Sequence, residues 1–599
     1  MCYNRDDKIC MNVERIERLK KVLACLKGYG RDSVLGPLLK FVEAFFELLV
    51  PIVVASMIDK GIGEGNRGYI VWCVVILAVL AAVGVFVSIT AQRFSARAAV
   101  GCATNLRREL FRHLQSLSFT EVDELGTSTM ITRMTSDINQ IQTGVNMTLR
   151  LLLRSPFVVF GAVAMAFFVD VRAALVFVVT VPLLFVVVFL IMALTLPLYK
   201  KVQKKLDRVL GITRENLSGA RVIRAFNNED EEEEKFFENN AELTSLQKKV
   251  GRISAFLNPL TYVIINLAIV ALIYVGAVRV NNGDLSNGEV VALYNYMSQI
   301  LVELVKFASL IITLTKSIAC AKRVEAVFDI KNSQQSAKSE GQDAGKRDVS
   351  VEFRNVGLTY KNAGAQTLED ISFSVSKGET LGIIGSSGSG KTSVIGLVPR
   401  FYDATVGEVL VDGKNVNNYD IEELRSKIAV VMQKTVLFSG TVRDNVRWGK
   451  KDATDEEIYE ALEKAQVKNV IDEKGEGLDF VIMQEGKNLS GGQKQRISIA
   501  RALVRKPEIL ILDDSSSALD YATDASLRKA LKTLDKDMTV IVVSQRTSSI
   551  RYSDKILVLD DGIAVGFGTH DELLEACEVY REIHNSQYGG KDGGDNEKK

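Results

Sequence analysis

Three stretches of this 599-residue chain run for more than twenty positions without a charged side chain: Tyr69 to Ala91, Ala173 to Tyr199 and Ile253 to Val278. A helix needs about 20 apolar residues to cross a hydrocarbon core of about 30 Å, where no backbone N–H or C=O can be left unpaired. These runs therefore predict membrane-crossing helices. A fourth, Ser155 to Val169, is short, but Leu151–Leu153 extend it backwards across Arg154. Two further segments carry charges: Leu38 to Ile58 holds Lys40, Glu43 and Glu47, and Val290 to Thr315 holds Glu303 and Lys306. Hydropathy gives four clear spans, and six with these two.

The connections are of two kinds. Asp59–Gly68, Asp170–Arg172 and Arg279–Glu289 are short, whereas Gln92 to Arg154 and Lys200 to Arg252 are long and rich in Arg and Lys. The positive-inside tendency puts the long ones, and both ends of a six-span half, in the cytoplasm. Glu43 and Glu47 lie one helical turn apart on one face. Either they line a cavity and attract cationic cargo, since carboxylates inside membranes are rare and functional, or Glu43 pairs with Lys40 near the interface. Glu303 and Lys306 read as an internal pair that neutralises itself.

Beyond about residue 325 the chain reads as a water-soluble α/β protein. The overall 47% apolar and 25% charged content excludes a disordered or collagen-like chain. A balance of 74 Lys+Arg against 73 Asp+Glu gives no reason to expect nucleic acid as a partner. The organisation expected is a membrane domain over 1–330, a flexible polar linker over 331–348, a soluble domain over 349–588 and a polar tail over 589–599. The first 31 residues have no apolar core, so no cleaved secretory peptide is expected. Seven scattered Cys (2, 10, 25, 73, 102, 320 and 577), with no C-x-x-C pair, fit reduced thiols packed in helices better than a disulfide frame or a zinc site.

In the soluble half the buried-strand run Thr380–Ile384 leads directly into Gly385-Ser386-Ser387-Gly388-Ser389-Gly390-Lys391-Thr392-Ser393. This is the P-loop pattern. Its glycines let the loop wind around a phosphate chain with N–H groups pointing inward; Lys391 reaches the outer phosphates and the Thr392 hydroxyl can ligate Mg²⁺. Further on, Glu508-Ile509-Leu510-Ile511-Leu512-Asp513 is an apolar strand ending in a carboxylate suited to holding the Mg²⁺ of a bound nucleotide. Between them, Leu489-Ser490-Gly491-Gly492-Gln493 precedes a helix and forms a second phosphate-directed helix start.

These three motifs in this order resemble the nucleotide-binding domain of an ABC transporter, and six spans followed by one such domain resemble an ABC exporter half-transporter over essentially the whole chain. The fold class implied is a six-helix all-α transmembrane domain followed by an α/β P-loop NTPase domain, in the cytoplasmic membrane with the nucleotide domain in the cytoplasm. By the same resemblance Tyr360 would stack on adenine, Gln433 would be the Q-loop glutamine touching Mg²⁺ and water, and Ser517-Ala518-Leu519-Asp520 would be the D-loop. The turns near Leu117–Glu124 and Arg214–Phe226 would be coupling helices. ATP and Mg²⁺ would be the cofactors.

Two positions depart from the family pattern. After Asp513 the family has a glutamate that orients or deprotonates the attacking water; here it is Asp514, one methylene shorter. After the next strand it has a histidine contacting the γ-phosphate; here it is Gln545, and the three His (113, 570 and 584) lie elsewhere in the sequence. Phosphoryl transfer is catalysed by positioning and electrostatics, so a carboxylate retracted by about an ångström can cost on the order of a hundredfold. Glutamine can hydrogen-bond a phosphate but cannot carry positive charge. In the family each ATP lies between the P-loop of one subunit and the signature of the other. The resemblance therefore extends to the degenerate-site subunit of bacterial heterodimeric multidrug exporters: a hydrolysis-impaired site of its own (Asp514, Gln545, Gln433) and an intact signature serving a second half-transporter. The expected substrate is a small hydrophobic or amphipathic compound met in the lipid. The alternatives are a homodimer with two slow sites and an ATP-gated or regulatory subunit.

Overall fold

The computed structural model describes residues 24–334, 348–361, 363–515, 521–531 and 537–588. Most of the expected linker, the tail over 589–599 and the D-loop stretch Ser517–Asp520 lie outside the described residues. By its internal contacts the chain divides into two units: Met1–Gln115 with Thr127–Ile330, and Ser116–Gly126 with Lys331–Lys599.

The first unit contains six helices long and apolar enough to cross a membrane: Gly30–Gly63, Arg67–Ser116, Thr127–Val169, Val171–Ser218, Glu229–Asn281 and Asn287–Phe328. All six expected spans are helical, including the two that carry charges. The Arg- and Lys-rich connections, in contrast, are largely continuations of these helices. The second span runs for 50 residues and the fourth for 48, or about 75 Å at 1.5 Å per residue, more than twice the hydrocarbon thickness. Charged residues at the far ends lower hydropathy without breaking the helix, because Arg, Lys and Glu are good helix formers.

Local chemistry fixes the short turns. Asp170 caps the fourth span by accepting from the Ala173 amide at 2.7 Å and pairs with Arg279 at 2.6 Å. Ser286 and Glu289 form a capping box at the start of the sixth span, while Asp59 accepts from the Ser286 hydroxyl at 2.5 Å and the Gly288 amide at 2.8 Å. The core joins Leu48, Phe177, Leu184, Leu272, Leu293, Met297 and Ile300 around fully buried Tyr296, whose hydroxyl donates to the Leu48 carbonyl at 2.7 Å. Outward faces carry exposed Trp72, Phe86, Phe168, Val179 and Leu190, an arrangement suited to hydrocarbon as solvent.

The reduced-thiol expectation fails at one pair. Cys25, in a short 3₁₀ turn, and Cys102, on the second span, are joined by a disulfide with Cα atoms 4.8 Å apart. The cause is a close approach hidden by 77 residues of separation: the Tyr29 ring occupies the space where a side chain at position 101 would stand, and only Gly101 admits it. Cys73, Cys320 and Cys577 are free and buried, as expected.

The second unit is built on a ten-stranded mixed sheet. Its strands are β1 (Val349–Leu358), β2 (Leu368–Ser376), β3 (Thr380–Gly385), β4 (Val406–Val411), β5 (Lys414–Asn415), β6 (Ile428–Val431), β9 (Ile509–Asp513), β10 (Thr539–Val543), β11 (Lys555–Asp560) and β12 (Ile563–Gly568); β7 (Gly440–Thr441) and β8 (Val481–Ile482) pair separately. The order is β5-β4-β1-β2-β12-β11-β3-β10-β9-β6. Strands β6, β9, β10, β3 and β11 are mutually parallel, so the carboxyl ends of the central strands lie on one edge. Buried Ile383, Ile511, Ile541 and Leu557 belong to one core cluster, and helices between Val442 and Leu503 close a second with Leu510 and Leu512.

Helix Phe119–Leu125 belongs to this second unit. Phe119 stacks on Phe401 at 4.5 Å, Tyr402 donates to Asp123 at 2.6 Å and Lys361 pairs with Glu124 at 2.9 Å. The other expected coupling segment is helical over Ala220–Phe226, in the first unit, with Val222 and Phe226 exposed.

Candidate functional site

The edge where β3, β9 and β10 end is where an open parallel sheet offers a ligand crevice, and there the chain forms a cavity of about 210 Å³. Ser387 to Ser393 supply one wall, Gln433, Asp513 and Asp514 another, and Val543, Ser544 and Gln545 a third. Gly388 and Gly390 hold φ of +87° and +92°, values that a side chain would strain, and the helix Lys391–Leu397 starts where the loop ends.

Lys391 is buried and its ammonium donates to the Gly385 carbonyl at 2.9 Å, the Ser386 carbonyl, and the Ser389 hydroxyl at 3.3 Å. Burial pushes its pKa down, against the attraction of Asp514 and Asp513. Asp513 is 3% exposed. Burial pushes its carboxyl up, the Thr392 hydrogen bond opposes this, and the charge of Asp514 adds to it. A buried carboxylate next to a second one, with the Thr392 hydroxyl 3.3 Å away, is a donor set whose hard oxygens fit a divalent cation, which Asp513 and Thr392 would hold. When bound, such a cation would neutralise phosphate charge.

Asp514 has φ of +44° and its amide donates to the Val543 carbonyl at 3.0 Å. Gln433 donates to its carboxylate at 3.2 Å. The structure thus brings together the P-loop, Gln433, Asp513, Asp514 and Gln545. Tyr360 is not on this wall; its hydroxyl hydrogen-bonds with Ser393 at 3.0 Å and its ring meets Tyr402 edge-on. The Leu489–Gln493 segment is also absent from the cavity wall. Ser490 caps the helix Gly491–Leu503, with its hydroxyl accepting from the Gln493 amide and the Gln493 side chain accepting from the Ser490 amide, while Ser490 and Gly491 are exposed.

Sequence reasoning missed two contributors. Thr367 lines the cavity from the turn before β2, a position without a motif. Gln587, on the last helix (Glu578–Tyr588), accepts from the Thr547 amide and hydroxyl, both at 2.9 Å, and donates to the Gln545 carbonyl at 2.7 Å. No signal could have found it, since the contact joins positions 42 apart through an ordinary polar side chain.

Comparison with known proteins agrees with this architecture. The model of the ABC transporter transmembrane region matches residues 33–304, and that of the ABC transporter domain matches 368–517. The uncharacterized ABC transporter ATP-binding protein YfiB of Bacillus subtilis is 33% identical over 95% of this chain and 99% of its own length. The ATP-dependent lipid A-core flippase of Hahella chejuensis is 30% identical (94% and 99% covered), and the putative multidrug export protein YgaD of B. subtilis 31% identical (95% and 99%). A bacterial Atm1-family ABC exporter solved with ATP bound shares the fold, with TM-score 0.77 at 23% identity over 95% of this chain and 99% of that one. With its apolar helices and its ATP-binding domain in one polypeptide, the chain belongs to the ABC transporter family.

Proposed function

We propose that this chain is one half of an ATP-driven exporter of amphipathic, drug- or lipid-like compounds, and that it works beside a different half-transporter with a more competent site. Its P-loop, Thr392 and Asp513 hold Mg²⁺–ATP, and Ser490 with Gly491 and Gly492 completes the second chain's site. Two relatives, one named as a lipid A-core flippase and one for multidrug export, support the cargo class. The observation that carries the division of labour is Asp514: this carboxylate of the cavity wall is one methylene short of the family's glutamate, it is bonded to Gln433, and the residue that lines the same cavity just after β10 is Gln545, without an imidazole. ATP binding closes the nucleotide domains and turns the membrane cavity outward; hydrolysis at the other chain's site resets it, and the site of Asp514 holds its nucleotide longer.

The test is the ATPase rate of the assembled transporter in lipid. Asp514→Ala should leave it within about twofold, because a shortened carboxylate with glutamine in the histidine's place contributes little to positioning. A loss of tenfold or more, or rapid turnover by this chain purified alone, would overturn the division of labour.

A further inference from the structure

Seven acidic and basic side chains meet inside the membrane unit; the Lys40–Glu43 and Glu303–Lys306 pairs are those the sequence suggested, and Arg154 adds contacts between helices that it did not. Glu43 is closed by Lys40 at 2.5 Å. Glu47 and Glu303 are both taken by Arg154, at 2.7 and 2.8 Å, and Glu303 also by Lys306 at 2.8 Å. No carboxylate is left over to attract a cation. Four cations (Lys40, Arg150, Arg154, Lys306) face three carboxylates (Glu43, Glu47, Glu303), and the surplus is Arg150. Among the described residues it forms no ion pair; its guanidinium lies against the Gln92 side-chain amide, whose oxygen, with the amide turned over, accepts at 2.9 and 3.3 Å.

These groups surround a cavity of about 370 Å³, whose wall includes Lys40, Glu43, Gln92, Arg150, Arg154 and Lys306. Arg154 is 93% buried, since its exposure is 7%, and its Nε, like the Nε of Arg150, has no hydrogen-bond partner. At 1.5 Å per residue from the outer turns, Arg154 lies about 24 Å deep, and Lys40 and Lys306 about 28 Å, which in a core of about 30 Å is the cytoplasmic leaflet. Arg150, four residues further along, lies at about 30 Å, the cytoplasmic boundary of that core, and a guanidinium without a counter-carboxylate prefers bidentate phosphate or carboxylate.

We infer that this cavity binds the anionic headgroup of an amphiphile drawn from the cytoplasmic leaflet, with Arg150 as the principal contact and Lys306 and Lys40 adding charge. This rests on the exporter reading, and narrows its cargo from amphipathic compounds in general to acidic ones.

The test is equilibrium binding, without nucleotide, to the full-length protein in nanodiscs of zwitterionic lipid. The probes are dodecyl phosphate, dodecyltrimethylammonium and inorganic phosphate. Dodecyl phosphate should bind at least about tenfold tighter than dodecyltrimethylammonium, the ratio one charge-assisted hydrogen bond supplies. Arg150→Gln should remove that preference and Arg150→Lys should keep most of it. Equal binding of the two amphiphiles, or an Arg150→Gln protein that still prefers dodecyl phosphate, overturns the inference. Competition by inorganic phosphate at the same concentration as dodecyl phosphate also overturns it, as the site would then take free anion. Should Arg150→Gln not fold, the comparison of probes on the unaltered protein decides. Because no ATP is present, the result is separate from the exporter reading, which fails only if ATP moves nothing outward in vesicles.

Discussion

Gln433 donates through Nε2 to Oδ2 of Asp514 at 3.2 Å, so the short carboxylate beside the P-loop is held toward the strand end that carries Gln433. Its own backbone, at φ of +44°, is one that aspartate tolerates better than most residues. Asp514→Glu adds the missing methylene without changing charge. The expected outcome is a rise of about tenfold or more in the ATPase rate of this chain's own site, since an ångström of positioning is worth up to a hundredfold. Single-turnover hydrolysis by the assembled transporter, with the second chain's own site inactivated, measures it, and an unchanged rate would place the defect at Gln545.

The turn that carries Gln545 is fastened by Gln587. Thr547 is fully buried, and its amide and hydroxyl both donate to the side-chain oxygen Oε1 of Gln587. Gln587→Ala strands both groups, at a cost of about 1–3 kcal/mol. The expected result is a melting temperature lower by several degrees and ATP affinity reduced severalfold, read by thermal shift with and without Mg²⁺–ATP. A normal melt with normal affinity would mean that the last helix is a passive neighbour.

Much of this was legible from residues alone. Uncharged runs such as Ala173–Tyr199 can only be membrane helices, and in the fold Lys391, Thr392 and Asp513 line one cavity. Long-range approach was not legible. Cys25 meets Cys102 because Gly101 yields space to Tyr29, and Gln587 meets Gln545 because a terminal helix folds back. Pairing of charges was half legible: neighbours such as Lys40 and Glu43 share a helix face, whereas Arg154 reaching Glu47 and Glu303 needs three helices in place.

Asp412 gives a pH prediction. Burial raises its pKa, but hydrogen bonds from Lys427 at 2.9 Å and Lys377 at 3.0 Å outweigh that and hold the carboxyl below its usual range. Lys427, although burial opposes it, is pushed up to about 12 by Asp412 and then Glu508. A lowered acid stabilises the fold above its unfolded pKa of about 3.9 and loses that stabilisation as pH falls through its folded value; a raised lysine does so below about 10.4 and loses it as pH rises through its folded value. Between these limits the contribution is flat. Asp412→Asn should therefore destabilise by about 1–2 kcal/mol equally at pH 5 and pH 9, and the difference should shrink only below about pH 4. Denaturant melts across that range measure it, and a difference that vanishes at pH 6 would refute the assignment.

In the membrane unit, Glu303 is 3% exposed and accepts from Arg154, Lys306 and the Ser155 hydroxyl. Removing one partner of such a pair leaves a charge in low dielectric, a loss of about 3–5 kcal/mol, whereas replacing both by apolar groups of similar volume is often neutral. Glu303→Met should thus lower the melting temperature of the protein in nanodiscs markedly, and adding Arg154→Met should recover most of the loss. Lys306, partly exposed with 42% of its side chain accessible, can turn its ammonium toward the interface and so does not prevent the rescue. Glu47 does not either, because 46% of its side chain is already accessible with Arg154 in place. If the double variant melts no higher than Glu303→Met alone, Arg154 and Glu303 are independent, and the cluster does not balance its charges as a unit.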